Sequence, residues 1–236
     1  MKKTLLLSIF CLIVSVLSAQ TEKAAWDYPV KPGMEEWKKF QTGQEMLDAC
    51  QIPAKILSKL TTEALVEICI NYPMAFDYLA YNNEREAISF MIEHFNGLKE
   101  LSRRTDGASD LLKAYKNFSF SNSAVAGTQN NRSSSLMFGY LELLLVDDLF
   151  ISKLSTSELS DLKNISLEKY SLKLNNPEHF GLLSIKRSFL INSIVIMKNN
   201  ISLDKSENSS IQEFVSNYQS IPAEKLERIS KLIVEK

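Results

Sequence analysis

Apolar residues along most of this chain recur three or four positions apart, the spacing that puts side chains on one face of an α-helix. Leu65, Ile68, Cys69 and Tyr72 form one such stripe, and Ile88, Met91, Ile92 and Phe95 form a second. Leu159, Leu162, Ile165 and Tyr170 make a third, and Leu226, Ile229, Leu232 and Ile233 a last one. Helix punctuation falls between the stripes. Thr42-x-x-Glu45, Asn83-x-x-Glu86, Ser155-x-x-Glu158 and Ser210-x-x-Glu213 read as capped helix starts, in which a short polar side chain and an acid three residues on satisfy orphan backbone N–H groups. Pro53, Pro177 and Pro222 suit helical first turns, where a missing N–H is harmless, and Pro73 closes the Leu65–Tyr72 stripe. Asn96-Gly97 reads as a helix stop and Asp106-Gly107 as a turn between helices. Two stretches are apolar on most sides: Leu136 to Phe150, and Phe189 to Met197 at the end of a helix opening at Asn176-Pro177. The second of these is the expected centre of a core. No period-two strand or hairpin pattern occurs, and seven glycines are few for a sheet protein of this length. The prediction is an all-α fold, a multi-helix array of about ten to thirteen short antiparallel helices, bundle or solenoid-like, in two helical halves.

The same pattern divides the chain. Lys2 and Lys3, the apolar run Leu5 to Leu17 and the small residue Ala19 predict a cleavable signal peptide over 1–19, a run too short to span a bilayer as a mature helix. Export to the periplasm or the extracellular space is the expectation, with no stable membrane anchor after removal of the signal. Residues 20–34 carry Pro29, Pro32 and Gly33 and predict an extended N-terminal arm. A helical subdomain over 35–118 follows, then a polar linker or loop over 119–135 rich in Ser, Asn, Gly and Gln, then a second helical subdomain over 136–236. Ser58-Lys59-Leu60-Thr61-Thr62 echoes Ser152-Lys153-Leu154-Ser155-Thr156. The echo reads either as a helical repeat or as convergence of two helix junctions on one capping chemistry.

Composition adds exclusions. With 27 basic and 28 acidic residues interspersed and a formal net charge of −1, the chain lacks the basic stripe of a nucleic-acid binder. Cys11 falls in the signal, which leaves Cys50 and Cys69 to form one disulfide or to stay as two buried thiols on apolar helix faces. His94 and His179 lie far apart with no second histidine at ligand spacing, so no metal site is predicted. No nucleophile elbow and no phosphate-cradling Gly-rich loop occurs, and no cofactor and no catalytic residue is predicted. Paired carboxylates are the residual enzyme chemistry, with Asp147 and Asp148 beneath an apolar run and Glu142 one turn earlier. For binding, Trp26, Tyr28 and Trp37 flank the proline arm, where their rings either stack on a ligand or pin the arm to the helices.

The segment from Trp26-Asp27-Tyr28-Pro29 through Met34-Glu35-Glu36-Trp37, with Ala49-Cys50-Gln51-Ile52-Pro53 and Asn71-Tyr72-Pro73, resembles a group of uncharacterised exported helical proteins of gut-dwelling Gram-negative bacteria. The resemblance covers roughly the first hundred residues. It implies export and helical character, and it carries over no catalytic residue.

The functional expectation is a non-catalytic secreted or periplasmic interaction protein that presents a helical groove to a peptide or protein. The alternative is carbohydrate or small-ligand binding through the aromatic arm. A carboxylate-dependent glycoside hydrolase is the remote alternative.

Overall fold

The computed structural model describes residues 26–120, 130–199 and 202–235. The predicted signal peptide, the start of the arm and most of the predicted linker lie outside them. Among the described residues there is no strand, and the chain is an all-α multi-helix array. Six helices make the first half: α1 (Gly43–Ala49), α2 (Ala54–Leu57), α3 (Thr62–Ile70), α4 (Glu84–His94), α5 (Asn96–Arg103) and α6 (Gly107–Asn117). The other six are α7 (Asn130–Val146), α8 (Asp148–Ile151), α9 (Thr156–Leu174), α10 (Leu182–Lys198), α11 (Lys205–Asn217) and α12 (Ala223–Glu235). Trp37–Lys39 and Asp77–Ala80 are single 3₁₀ turns.

Capping chemistry sets many of these boundaries. Thr42 with Glu45 and Ser155 with Glu158 form reciprocal capping boxes, and the Asn83 side chain accepts from the N–H groups of Arg85 and Glu86. The fourth predicted start is corrected: α11 opens at Lys205 under a capping box of Asp204 and Glu207, so Ser210 and Glu213 lie inside it. The helix carrying Ile88 to Phe95 does end just before Asn96-Gly97, with α4 closing at His94, but Gly97 itself belongs to the next helix. It sits in the first turn of α5, where a Cβ would lie 2.4 Å from the Phe95 ring and 2.9 Å from Ile52. Asn96 meanwhile accepts from Ile52 N–H at 2.9 Å and donates to Ile52 carbonyl at 2.8 Å, which fixes the crossing of α5 over the α1–α2 loop. Gly107 likewise opens α6, against the Leu101 carbonyl. The expected helix Leu136–Phe150 is broken at Asp147, whose extended backbone separates α7 from α8. At the other end α7 starts at Asn130, inside the segment predicted as linker. Asn176-Pro177 forms a turn, and α10 starts only at Leu182.

One hydrophobic cluster runs through both halves, from Tyr28 and Cys50 to Leu232 and Ile233. Its second half is built around α10, which packs on α7, α9, α11 and α12 and is buried at every position from Ser184 to Ile196 except Ile185. α7 joins the halves by packing on α4 and α6 as well as on α10. Burial of α10 takes in charge: Lys186, Arg187, Ser188 and Asn192 are buried with the leucines and isoleucines around them. Such groups are tolerated inside when paired or hydrogen-bonded. Lys186 donates to two backbone carbonyls, and Asn192 Nδ2 donates to Ser166 Oγ and the Ser188 carbonyl, while Asn192 Oδ1 has no partner among the described residues. Arg187 engages Glu84, and beside it Lys173 of α9 donates to Glu142 of α7 at 2.7 and 2.8 Å. The Lys173 ammonium also donates to the Ser184 carbonyl and Ser188 Oγ, while Tyr115 Oη donates to Glu142 at 2.9 Å.

Candidate functional site

The charged pair at the start of α4 braces a groove on the surface. Glu84 accepts two hydrogen bonds from Arg187 and a third, at 2.7 Å, from Tyr218 Oη. Its own N–H donates to Gln219 Oε1 at 3.0 Å, and Lys186 Nζ donates to the carbonyls of Gln219 and Ile221 at 2.9 and 2.7 Å. The α11–α12 connection is thereby tied to both α4 and α10. Burial, then the charge of Glu84, push the Tyr218 phenol well above its ordinary value, so it stays a proton donor to that carboxylate. Burial alone would lower the Arg187 pKa, but the Glu84 hydrogen bonds hold it above its usual range.

Beside this anchor an open groove of about 1180 Å³ runs along α4. Ser89, Phe90 and Glu93 face it from α4, and Lys99 and Arg103 face it from α5. The other walls are the start of α8, Asp147 to Leu149, and the connection Ser216 to Ser220. Local chemistry fixes each wall. Asp147 caps α8 by accepting from Leu149 N–H at 3.0 Å and accepts from Ser89 Oγ at 3.2 Å, which ties α8 to α4. Lys153 Nζ donates to the carbonyls of Ser102 and Arg104 and ties α8 to α5. The apolar part of the lining is Phe90, Leu149 and Ile92. His94 stacks on the Phe90 ring at 3.9 Å and covers one of its faces, and its Nδ1–H donates to the Phe90 carbonyl at 2.9 Å.

The residues singled out from sequence fall elsewhere. Tyr28 is 3% exposed, donates to the Ile68 carbonyl at 2.9 Å and packs near Tyr72 and Phe95. It belongs to the core and has no face for a ligand. Trp26 is half-buried edge-on to Tyr28, and Trp37 is half-buried edge-on to Phe40. These three rings pin the arm down, and none of them lines the groove. Cys50 and Cys69 are both free and buried, so the two-thiol arrangement is the one present. Burial pushes the Cys50 thiol up to about 12 and Cys69 higher still, which removes them from nucleophilic chemistry at neutral pH. Among the candidate carboxylates, Asp147 and Asp148 do reach the groove, whereas Glu142 is buried on Lys173 and cannot join them. Among the described residues, no three His, Cys, Asp or Glu side chains converge as a metal-ion site.

Sequence reasoning missed Glu84, Arg187 and Lys186. The available signal was Lys186-Arg187 inside the otherwise apolar run of α10: two cations in a helix buried all round demand interior acceptors. A smaller groove of about 230 Å³ lies between α3 and α6, bordered by Glu63, Glu67, Asp110 and Lys113. No protein-family model matches the chain, and no curated protein or solved structure matches it.

Proposed function

We propose that this is an exported, non-catalytic binding protein that seats a peptide segment of a partner in the groove along α4. The observation that carries the reading is the groove's size and lining. Pockets for small ligands run to roughly 300–1,000 Å³ and are mostly apolar. This one, at about 1180 Å³, is open and lined by hydroxyl, amide and charged side chains around a short apolar strip of the exposed Phe90 and Leu149. An extended peptide supplies matching backbone donors and acceptors and one or two apolar side chains for that strip. The walls are braced by buried ion-pair and capping bonds, so little ordering entropy opposes binding. A sugar platform finds less support, because His94 already covers a face of Phe90 and the arm's rings are packed away.

The test is selection of displayed random peptides against the processed protein, followed by calorimetric titration of the selected sequences. Ser89 is exposed in the lining of the groove. Ser89→Trp fills the space, and a loss of affinity of tenfold or more beyond that of Ser89→Ala, which removes only the bond to Asp147, supports the reading. Failure to select any peptide, or equal affinity in Ser89→Trp, overturns it. So does hydrolysis of a glycan that Asp147→Asn abolishes.

A further inference from the structure

We infer that Lys153 and Lys186 are positioning residues for the groove, an inference that rests on the peptide-binding reading above. Neither lines it, and each holds one of its walls by main-chain carbonyls. Lys153 follows α8 and donates to the Ser102 carbonyl and, at 3.1 Å, to the Arg104 carbonyl at the end of α5. The start of α8 is one wall, and Lys99, Ser102 and Arg103 of α5 are another, so these bonds set the spacing between the two. Lys186, buried on α10, donates to the Gln219 and Ile221 carbonyls at 2.9 and 2.7 Å and holds the wall 216–220 from the interior. A helix C-terminus leaves its last carbonyls without intrahelical partners, and a lysine can meet that need.

Lys169 makes the same kind of contact away from the groove. From α9 it donates to the Phe118 carbonyl at 2.7 Å and the Lys116 carbonyl at 3.4 Å, at the end of α6, and none of these residues lines the groove. Among the described residues, none of the three lysines has a carboxylate within 4 Å, so the carbonyls are the acceptors each ammonium serves. Tyr218 and Ile221 already attach the 216–220 wall by burial, a force without direction. The hydrogen bonds of Lys186 are directional and fix where that wall stands. Without them the wall samples other positions, and apparent affinity falls with the fraction of molecules that hold it in place. Lys153 and Lys186 therefore act on affinity through the walls, whereas Lys169 acts on stability alone.

The experiment compares Lys153→Met, Lys186→Met and Lys169→Met in the processed full chain. The probe is the tightest peptide from the display selection whose binding Ser89→Trp weakens, titrated by calorimetry below the thermal midpoint of every variant. Lys153→Met and Lys186→Met are each expected to lose about tenfold in affinity, the effect of a wall in place in about a tenth of the molecules. Lys169→Met is expected to keep the wild-type affinity while its thermal midpoint falls. In the free protein, hydrogen exchange should quicken over 99–104 in Lys153→Met and over 216–221 in Lys186→Met. Lys153→Arg, which still donates to the carbonyls, should recover most of the affinity. Wild-type affinity in either groove variant, or an equal loss in Lys169→Met, overturns the inference and leaves the peptide reading standing. Should Lys186→Met fail to fold, the exposed Lys153 against Lys169 decides by the same criterion. Selection of no peptide at all overturns both.

Discussion

Arg187 and Glu84 are paired in the interior although 103 positions separate them in sequence. Tyr78 lies under the guanidinium, with Arg187 Cζ 5.4 Å from its ring centroid, and a Cβ added at Gly139 would come within 2.6 Å of both Arg187 Nη1 and Tyr78 Oη. Removing one member of such a pair leaves a buried charge uncompensated, at a cost of about 3–5 kcal/mol. Arg187→Met is expected to lose that much in urea unfolding. Glu84→Gln keeps the shape but strands a guanidinium that cannot deprotonate, so it should cost a comparable amount, and Gly139→Ala should be destabilising because the guanidinium it displaces is locked at its far end.

The second buried pair gives a sharper energetic test. Lys173→Met leaves Glu142 in the interior with only Tyr115 as donor, so it too should cost about 3–5 kcal/mol. Lys173→Met/Glu142→Leu removes both charges, and a double-mutant cycle should show that the second substitution restores a large part of the loss. Simple additivity of the two losses would contradict the ion-pair description.

Alkaline pH should unfold the protein early. The folded chain holds the Cys50 proton up to about 12, while the unfolded thiol releases it near its ordinary value of 9.0. Cys69, Tyr28, Tyr72, Tyr115, Tyr140 and Tyr218 are shifted upward in the same sense, with burial the first cause of each. A raised folded pKa contributes stability that is complete below the unfolded pKa and is lost as pH climbs through the folded one. Thermal midpoints should therefore decline steadily above about pH 9, the unfolded thiol value. A midpoint level from pH 8 to pH 11 would refute the burial of these groups.

Native thiol titration checks the core of the first half directly. Cys50 and Cys69 are both 0% exposed. With residues 1–19 removed, and Cys11 with them, the protein should show no fast-reacting thiol when folded and two in denaturant. Two thiols appearing only after reduction would mean a bridge instead.

Much of the helical layout was legible because it rests on local chemistry. Thr42, Asn83 and Ser155 cap in the predicted places since an N-cap bond closes within three residues. Errors came where a distant partner decides. Gly97 looks like a stop in isolation, but Phe95 and Ile52 leave room for nothing larger there. Asn130 to Ser135 carries no apolar period, so only the observed backbone reveals that α7 begins before Leu136. The groove was the least legible feature. Its lining comes from α4, α5, α8 and the Ser216–Ser220 connection, and no periodicity within one helix announces that those surfaces meet. The aromatic arm drew attention because Trp and Tyr often bind ligands, yet an arm held by Trp26, Tyr28 and Trp37 needs those rings for its own attachment.

Hydrogen–deuterium exchange of the processed protein, with and without a selected peptide, tests the binding surface most directly. Protection is expected in residues 82–103, 147–149 and 216–220, with the arm around Trp26 and Trp37 unchanged. Protection centred on that arm, or on the α3–α6 surface, would contradict the groove as the place where this protein binds.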